Sequence, residues 1–178
     1  IVLIDKLKTV LDKKISKKAM AAVLVPIVYG ADPKLVMIKR SKNLARSAGH
    51  VAFPGGMIEE GETEVQTALR EIKEELGIEK RRIKILGYLT PREVVEYRIK
   101  ICPVVGIVDK PKFDPDGKEV SKVMIDSLRK VLSSRKVADW GPNFECDGEL
   151  VWGASSRILD DLYLRIIKKY GSIDELFS

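Results

Sequence analysis

The chain has 178 residues, a formal net charge of +6 and two cysteines. A chain of this length folds as one domain that buries about two-thirds of its unfolded surface. Cys102 and Cys146 are too few and too far apart in sequence for a disulfide scaffold or a zinc knuckle, and they form no Cys-x-x-Cys pair. The longest apolar stretch, 19–29, is too short to span a bilayer. We therefore expect a single domain over residues 1–178 in a soluble, cytoplasmic protein without a membrane partner.

The excess of Lys and Arg favours an anionic partner. Because no basic motif with interleaved aromatic residues occurs, a small phosphorylated molecule is favoured over nucleic acid. The sequence leaves the choice between a monomer and a homodimer open.

The N-terminal part of the chain predicts a helix followed by a hairpin. Apolar residues at helical spacing from Leu3 to Ile15 predict an amphipathic helix over residues 1–18 that packs on the domain. The apolar run at 19–29 predicts a buried strand, and after a turn 35–39 predicts the returning strand.

Beyond an acidic segment, the chain alternates between strand and helix patterns. The predicted elements are strands at 83–89 and 98–108, a loop at 110–117, a helix at 126–133, a strand at 149–152 and a helix at 155–170. This interleaving is typical of an α/β domain with a mixed sheet.

The acidic segment, residues 56–78, carries seven glutamates against two basic residues, a local charge of −5 in a basic chain. Thr63 and Gln66 form a capping box, which marks the start of a helix. Gly77 is a stop signal. The segment therefore predicts a helix over 64–76.

One face of this helix concentrates carboxylates. At about 100° per residue, four glutamates converge on one side, namely Glu64, Glu71, Glu74 and Glu75. Like charges at i+3 and i+4 destabilise a helix by about 0.2–0.5 kcal/mol per pair, and the helix dipole disfavours anions at its C-terminus. A hard divalent cation, Mg²⁺ or Mn²⁺, would reverse both penalties. The alternative interpretation is a solvated charged face.

The loop that leads into the helix favours the metal site over the solvated face. Gly55 and Gly56, in the sequence Phe53-Pro54-Gly55-Gly56, let the backbone approach a ligand closely, and Gly61 permits a tight bend. Together with the carboxylates they indicate a site for a metal and a phosphate.

The spacing of these residues resembles that of a known family. Gly56, Glu62, Arg70-Glu71-Ile72, Glu74-Glu75 and Gly77-Ile78 match the Nudix box, residues 56–78, at every defined position. The resemblance implies an α/β/α sandwich with a mixed central sheet. It also implies a pyrophosphohydrolase that uses Mg²⁺ or Mn²⁺ to cleave nucleoside diphosphates linked to another moiety.

Carried over residue by residue, the resemblance implies a role for each side chain. The implied metal ligands are Glu71, Glu74 and Glu75. Glu62 is implied as a supporting acid, and Arg70 as the residue that orients the carboxylates, which makes it a catalytic candidate with Glu71 and Glu74. Gly55 and Gly56 would shape the substrate-binding loop.

A second resemblance concerns the segment before the box. KRSKNLARSAGHVAFPGG is similar to the element that precedes the box in the coenzyme A diphosphatase branch, with Ala45 where that branch has arginine. It implies that coenzyme A is cut at its pyrophosphate to 4′-phosphopantetheine and adenosine 3′,5′-bisphosphate. Arg40 and Arg46 are the candidate substrate-binding residues.

Other substrates and one other class of protein remain open. The alternative substrates are ADP-ribose, NADH, a dinucleoside polyphosphate and a nucleoside triphosphate. The alternative class is a non-catalytic module that senses nucleotides, which the intact set of carboxylates disfavours.

Residues outside the box supply further candidates. Glu119, after the flexible loop at 114–117, is the leading candidate for a general base, with Glu93 and Glu96 as alternatives. His50 is interpreted as a loop or packing residue. The tryptophans, Trp140 and Trp152, are interpreted as core or rim aromatics, with stacking of Trp140 on adenine as the alternative.

Overall fold

The structure is a computed structural model that describes residues 2–178. Its centre is an eight-stranded sheet made of β1 (Ala21–Val28), β2 (Lys34–Arg40), β3 (Val51–Ala52), β4 (Gly55–Met57), β5 (Ile83–Tyr88), β6 (Arg92–Val94), β7 (Ile99–Val108) and β8 (Val120–Ser127). The strand order is β3-β2-β1-β7-β5, with β4 paired to β1, β6 to β7 and β8 to β2. Strands β1 and β7 are parallel and the other pairs are antiparallel, so the sheet is mixed.

A smaller antiparallel sheet and five helices surround this centre. The small sheet contains β9 (Lys136–Ala138), β10 (Gly141–Cys146) and β11 (Glu149–Val151). The helices are α1 (Val2–Val10), α2 (Glu64–Leu76), α3 (Leu128–Ser133), α4 (Gly153–Tyr170) and α5 (Ile173–Phe177), and a 3₁₀ turn covers Lys80–Arg82.

The central sheet separates two hydrophobic cores. Successive residues of β1 point to opposite faces, so Leu24 enters the core beneath α2 while Val25 enters the core beneath α1 and α4. Since both faces are covered, β1 has the nearly continuous apolar sequence of a central strand. The predicted α/β/α arrangement with a mixed central sheet is confirmed.

Two predicted boundaries are wrong. The N-terminal helix ends at Val10 and does not extend through residue 18, because Asp12 leaves the helix and exchanges two backbone hydrogen bonds with Tyr88, each of 2.9 Å. The helix predicted at 126–133 begins at Leu128, because 120–127 forms strand β8 along β2.

The described residues contain neither a membrane-spanning helix nor a disulfide. Within residues 2–178, no helix combines the length and apolar character that a bilayer crossing requires. Cys102 and Cys146 are both buried as free thiols.

Candidate active site

Helix α2 begins and ends where the sequence predicts. The Thr63 hydroxyl accepts a hydrogen bond from Gln66 N, and the Gln66 side chain accepts one from Thr63 N. Gly77 adopts a left-handed conformation with φ of 71° and ends the helix. The caps fix the ends of α2, and the packing of its buried residues Ala68, Ile72 and Leu76 fixes its rotation, which decides which carboxylates face the loop at Gly55 and Gly56.

Arg70 is the centre of the carboxylate cluster. Its Nε and Nη2 donate to the two oxygens of Glu62 at 2.8 and 2.9 Å, and its Nη1 donates to Glu71 at 2.9 Å and to Glu74 at 3.4 Å. The Arg70 guanidinium lowers the pKa of Glu62 to about 2, which keeps that carboxylate ionised. Arg70 therefore donates hydrogen bonds to three acids of the box and forms a longer ion pair, of 3.7 Å, with a fourth, Glu59.

Glu75 is almost completely buried, with 1% of its surface exposed. Its Oε2 accepts a hydrogen bond from Gly55 N at 2.9 Å, whereas its Oε1 is buried without a hydrogen-bond partner among residues 2–178. Burial is the main cause that raises the pKa of Glu75 to about 8, and the negative charges of Glu71 and Glu119 add to it. The Gly55 N–H and the charge of Arg40 act in the opposite direction. This carboxylate lacks the compensation that a buried charge requires.

Glu71 lies against the glycine loop. A Cβ atom on Gly56 would overlap the Glu71 carboxylate, and one on Gly55 would overlap the backbone oxygen of Ala22. Burial raises the pKa of Glu71, and the neighbouring Glu74 and Glu119 add to the rise against the opposing effect of Arg70. Gly55 therefore permits close packing of strand β4 on β1, and Gly56 leaves room for the Glu71 carboxylate against β4.

Of the four glutamates predicted to converge, Glu71 interacts with two, since the charge of Glu74 raises the pKa of Glu71 and the charge of Glu71 raises the pKa of Glu75. The charge of Glu64 acts elsewhere, where after burial it contributes to the raised pKa of the Cys102 thiol on β7. Glu119 joins the group from a different part of the chain, since its charge raises the pKa of both Glu71 and Glu75.

The donor set suits a divalent cation, although its side chains are not arranged around one. Carboxylate oxygens are the ligands that Mg²⁺ and Mn²⁺ prefer, and the unpaired buried Oε1 of Glu75 is a free donor atom. Among residues 2–178, no three Asp, Glu, His or Cys side chains already surround a common point. Arg70 holds Glu71 and Glu74 instead. The assignment of Glu71, Glu74 and Glu75 as metal ligands stays a prediction.

A cavity of about 400 Å³ adjoins the loop. Gly55 and Gly56 line it, and none of the box glutamates does, so strand β4 is a wall between the cavity and the carboxylates. Three basic residues also line the cavity, namely Arg40 and Arg46 from the segment before β3 and Arg157 from α4.

Sequence reasoning found only part of this cavity. It selected Arg40 and Arg46, and the structure adds that Arg40 Nη2 donates to the backbone oxygen of Arg46 at 3.2 Å. It missed Arg157 and Tyr97 and selected Trp140 rather than Trp152 as the aromatic candidate for stacking. These residues follow no spacing rule that ties them to the box. Of the alternative general bases, Glu96 lines the cavity and Glu93 does not.

Comparison with known proteins gives a consistent result. Residues 18–143 match the NUDIX domain family. A protein of Pectobacterium atrosepticum, named uncharacterized Nudix hydrolase NudL, is 31% identical over 171 residues, which cover 86% of each chain. A protein of the same name from Escherichia fergusonii is 34% identical over 164 residues, 82% of each chain.

Solved structures share the fold at low sequence identity. The MutT protein of Methanosarcina mazei Go1 has a TM-score of 0.58 at 18% identity, with 88% of this chain and 98% of that chain covered. The NUDIX domain of Shewanella oneidensis NrtR, solved in complex with ADP ribose, has a TM-score of 0.56 at 18% identity, with coverage of 85% and 90%.

The family match, together with the box on α2, makes the chain a member of the Nudix family. Within that family it is a hydrolase, a pyrophosphohydrolase that acts on a nucleoside diphosphate derivative.

Proposed function

We propose that the protein hydrolyses the pyrophosphate of coenzyme A or its derivatives. The observation that carries the proposal is the position of the segment from Arg40 to Gly56, which resembles the coenzyme A element. This segment forms one side of the cavity and brings Arg40 and Arg46 to the same cavity as Gly55 and Gly56.

The metal is proposed as Mg²⁺ or Mn²⁺, held by Glu71, Glu74 and Glu75. When bound, it would neutralise charge on the phosphates and lower the pKa of a coordinated water. Glu75 supports this assignment because one of its buried oxygens has no protein partner among the described residues.

The other box residues position these ligands. Arg70 contacts Glu62, Glu71 and Glu74 at the same time, so it orients two proposed ligands while Glu62 fixes the guanidinium through two hydrogen bonds. The backbone N–H of Gly55 orients Glu75 in the same way. Arg70 is therefore a positioning residue in this proposal.

In the reaction, the oxygen of a water molecule attacks one phosphorus and the bond from that phosphorus to the bridging oxygen breaks. The products are 4′-phosphopantetheine and adenosine 3′,5′-bisphosphate. The water loses a proton as it attacks, and Glu119 is the proposed acceptor because it lies within electrostatic range of Glu71 and Glu75.

The test is kcat/KM for coenzyme A, dephospho-coenzyme A, ADP-ribose and NADH, with Mg²⁺ and with Mn²⁺, and with products identified by mass. A charge-assisted contact to the 3′-phosphate is worth about 1.5–3 kcal/mol, so we expect coenzyme A to be preferred over dephospho-coenzyme A by about 10- to 150-fold. A tenfold preference for ADP-ribose or NADH would overturn the coenzyme A proposal and leave the hydrolase class intact.

Two matched variants locate this contact. Arg46→Gln removes a cation that lines the cavity, whereas Lys42→Gln removes one from the same loop that does not line it. We expect the first variant to lose the preference for coenzyme A and the second to keep it. Equal effects of the two would show that only the overall charge of the loop matters.

A further inference from the structure

Trp152 is an aromatic residue at the cavity whose ring the fold leaves half uncovered. It precedes α4, lines the cavity and has 48% of its surface exposed. The ring of His50 packs against it with the centroids 4.7 Å apart and the planes inclined at 59°. His50 therefore holds the indole at the cavity, and much of the indole remains available to a ligand.

A second aromatic residue lines the same cavity. Tyr97 lies in the turn between β6 and β7, and the Arg46 guanidinium stands 5.0 Å from its ring centroid. Arg157 Nη2 donates to the backbone oxygen of Glu93 at 2.8 Å, which ties α4 to β6. The elements that carry the two aromatic residues are thus joined to each other.

The other tryptophan provides an internal contrast. Trp140 has 58% of its surface exposed and does not line the cavity. An aromatic side chain left open beside a cavity suits a flat, π-bonded ligand group, because bases stack on such rings in a sequence-tolerant way.

We propose that Trp152 binds the nucleoside part of the substrate by stacking on its purine base. The inference rests on the proposed function only for the presence of a nucleotide in the cavity. His50 acts through Trp152 as a positioning residue, and Tyr97 with Arg46 bounds the cavity beside it. The base would then lie on the cavity side of strand β4, with the diphosphate at Gly55 and Gly56.

The test measures binding without turnover, in EDTA, on the whole chain. Trp140→Phe leaves Trp152 as the only tryptophan, so its fluorescence reports on the cavity. We expect ADP and adenosine 3′,5′-bisphosphate to quench this fluorescence and 4′-phosphopantetheine to leave it unchanged. Quenching by 4′-phosphopantetheine alone would overturn the proposal, since the indole would then contact the other half of coenzyme A.

Calorimetry with ADP tests whether stacking on Trp152 contributes to affinity or whether ADP merely occupies the cavity. Trp152→Leu should weaken ADP binding by about 5- to 150-fold, the range of a lost base stack, and Trp152→Phe should restore most of it. Trp140→Leu is the matched control and should bind ADP as the wild type does. Unchanged ADP affinity in a folded Trp152→Leu protein, or no ADP binding to the wild type at millimolar concentration, would overturn the proposal.

Turnover distinguishes this inference from the proposed function. With whichever nucleotide is hydrolysed, Trp152→Leu should raise KM more than it lowers kcat. If coenzyme A is not cleaved but ADP binding still depends on Trp152, the stacking role stands and the coenzyme A assignment falls.

Discussion

Glu75 combines burial, a single hydrogen bond and a neighbouring acid, and each of these affects the free energy of folding. Burial raises the pKa of Glu75 in the folded chain to about 8, from its ordinary value of 4.5 in the unfolded chain. Between these two values the folded state binds more protons than the unfolded state. The stability contributed at this residue therefore falls as the pH rises through that window.

We predict that Glu75→Gln removes this pH dependence in metal-free protein. A pKa difference of one unit corresponds to about 1.4 kcal/mol, or about 3–5 °C in Tm for a chain of this size. In EDTA, the variant should gain Tm relative to wild type as the pH rises from 5 to 8. Parallel Tm curves for the two proteins would contradict the burial of an unpaired charge.

The same substitution tests the metal assignment. Millimolar Mg²⁺ should raise the Tm of the wild type at pH 8 and leave that of Glu75→Gln nearly unchanged, because a ligand that binds only the folded state stabilises it. The variant should also lose most turnover. Near-normal turnover at saturating Mg²⁺ would remove Glu75 from the set of ligands.

We predict that Glu119→Gln lowers kcat by about 10²–10⁴-fold with a smaller change in KM, as expected for the loss of a general base. Steady-state kinetics at saturating metal measures the effect. Glu93→Gln and Glu96→Gln are the matched controls. A large loss in either control with none in Glu119→Gln would place the base on the segment before β7.

Among the individual residues of the site, those that belong to one motif can be predicted from the sequence, whereas those brought together only by the tertiary fold cannot. The box places Arg70 beside its acids because all of them lie on one helix or in the loop before it. Trp152 and Tyr97 come from a helix start and a turn between strands. Their proximity depends on the tertiary pairing of α4 with β6, which no local spacing encodes.

Strand β4 is the element on which the site depends, since it lies between the carboxylates and the cavity. Its two glycines differ in what a side chain would meet. A Cβ on Gly56 would overlap the flexible end of Glu71, whereas a Cβ on Gly55 would overlap the backbone of Ala22 and Val23. A side chain can move aside more readily than a paired strand can.

We therefore predict opposite consequences for two alanine substitutions. Gly56→Ala should displace Glu71 and lower kcat by at least tenfold with a small change in Tm. Gly55→Ala should lower Tm by several degrees, consistent with about 1–3 kcal/mol for overpacking. Thermal unfolding and kinetics on both variants measure the contrast. Similar profiles for the two would show that β4 adjusts as a unit.

Secondary-structure elements with strong sequence signals of their own can be predicted, whereas short strands that depend on hydrogen bonding to a neighbouring strand cannot. Helix α2 has a capping box, a stop glycine and an apolar stripe, and its predicted ends are correct. Strands β3 and β6 contain two and three residues, too few to show any periodicity. Strand β8 buries only Val120 and Met124, four residues apart with the exposed Lys122 between them, so it lacks a regular alternation, and it exists because β2 pairs with it.

Across the whole molecule, Arg165 connects the N-terminal segment to the body of the protein. Arg165 lies on α4, and its Nη1 donates to Val10 O and to Asp12 Oδ1, each at 3.0 Å. Its Nη2 donates to Asp12 Oδ2 at 3.0 Å and to Thr90 Oγ1 at 2.9 Å. Asp161 accepts from its Nε at 3.2 Å. These contacts lie outside the cavity lining and the box.

We predict that Arg165→Gln lowers stability without affecting catalysis. The cost should be roughly 1–3 kcal/mol, between the values for exposed and buried ion pairs, because Asp12 is partly exposed. Denaturant unfolding measures it, and kcat/KM should stay within about twofold of wild type. The control is Arg129→Gln, which breaks an exposed pair with Asp174 and should cost at most about 1 kcal/mol. Equal costs would mean that Arg165 acts as an ordinary surface residue.

The wall formed by Gly55 and Gly56 has a consequence for how such a protein changes over generations. The box carboxylates are encoded in one stretch, 56–78, whereas the cavity on the other side of the wall is lined by the 40–53, 94–101 and 152–158 segments. Mutations in those three segments can alter which molecule enters without disturbing the acids that act on phosphorus. Substrate preference is therefore free to drift while the hydrolytic apparatus is inherited intact, and an engineer could retarget the enzyme by transplanting these three segments.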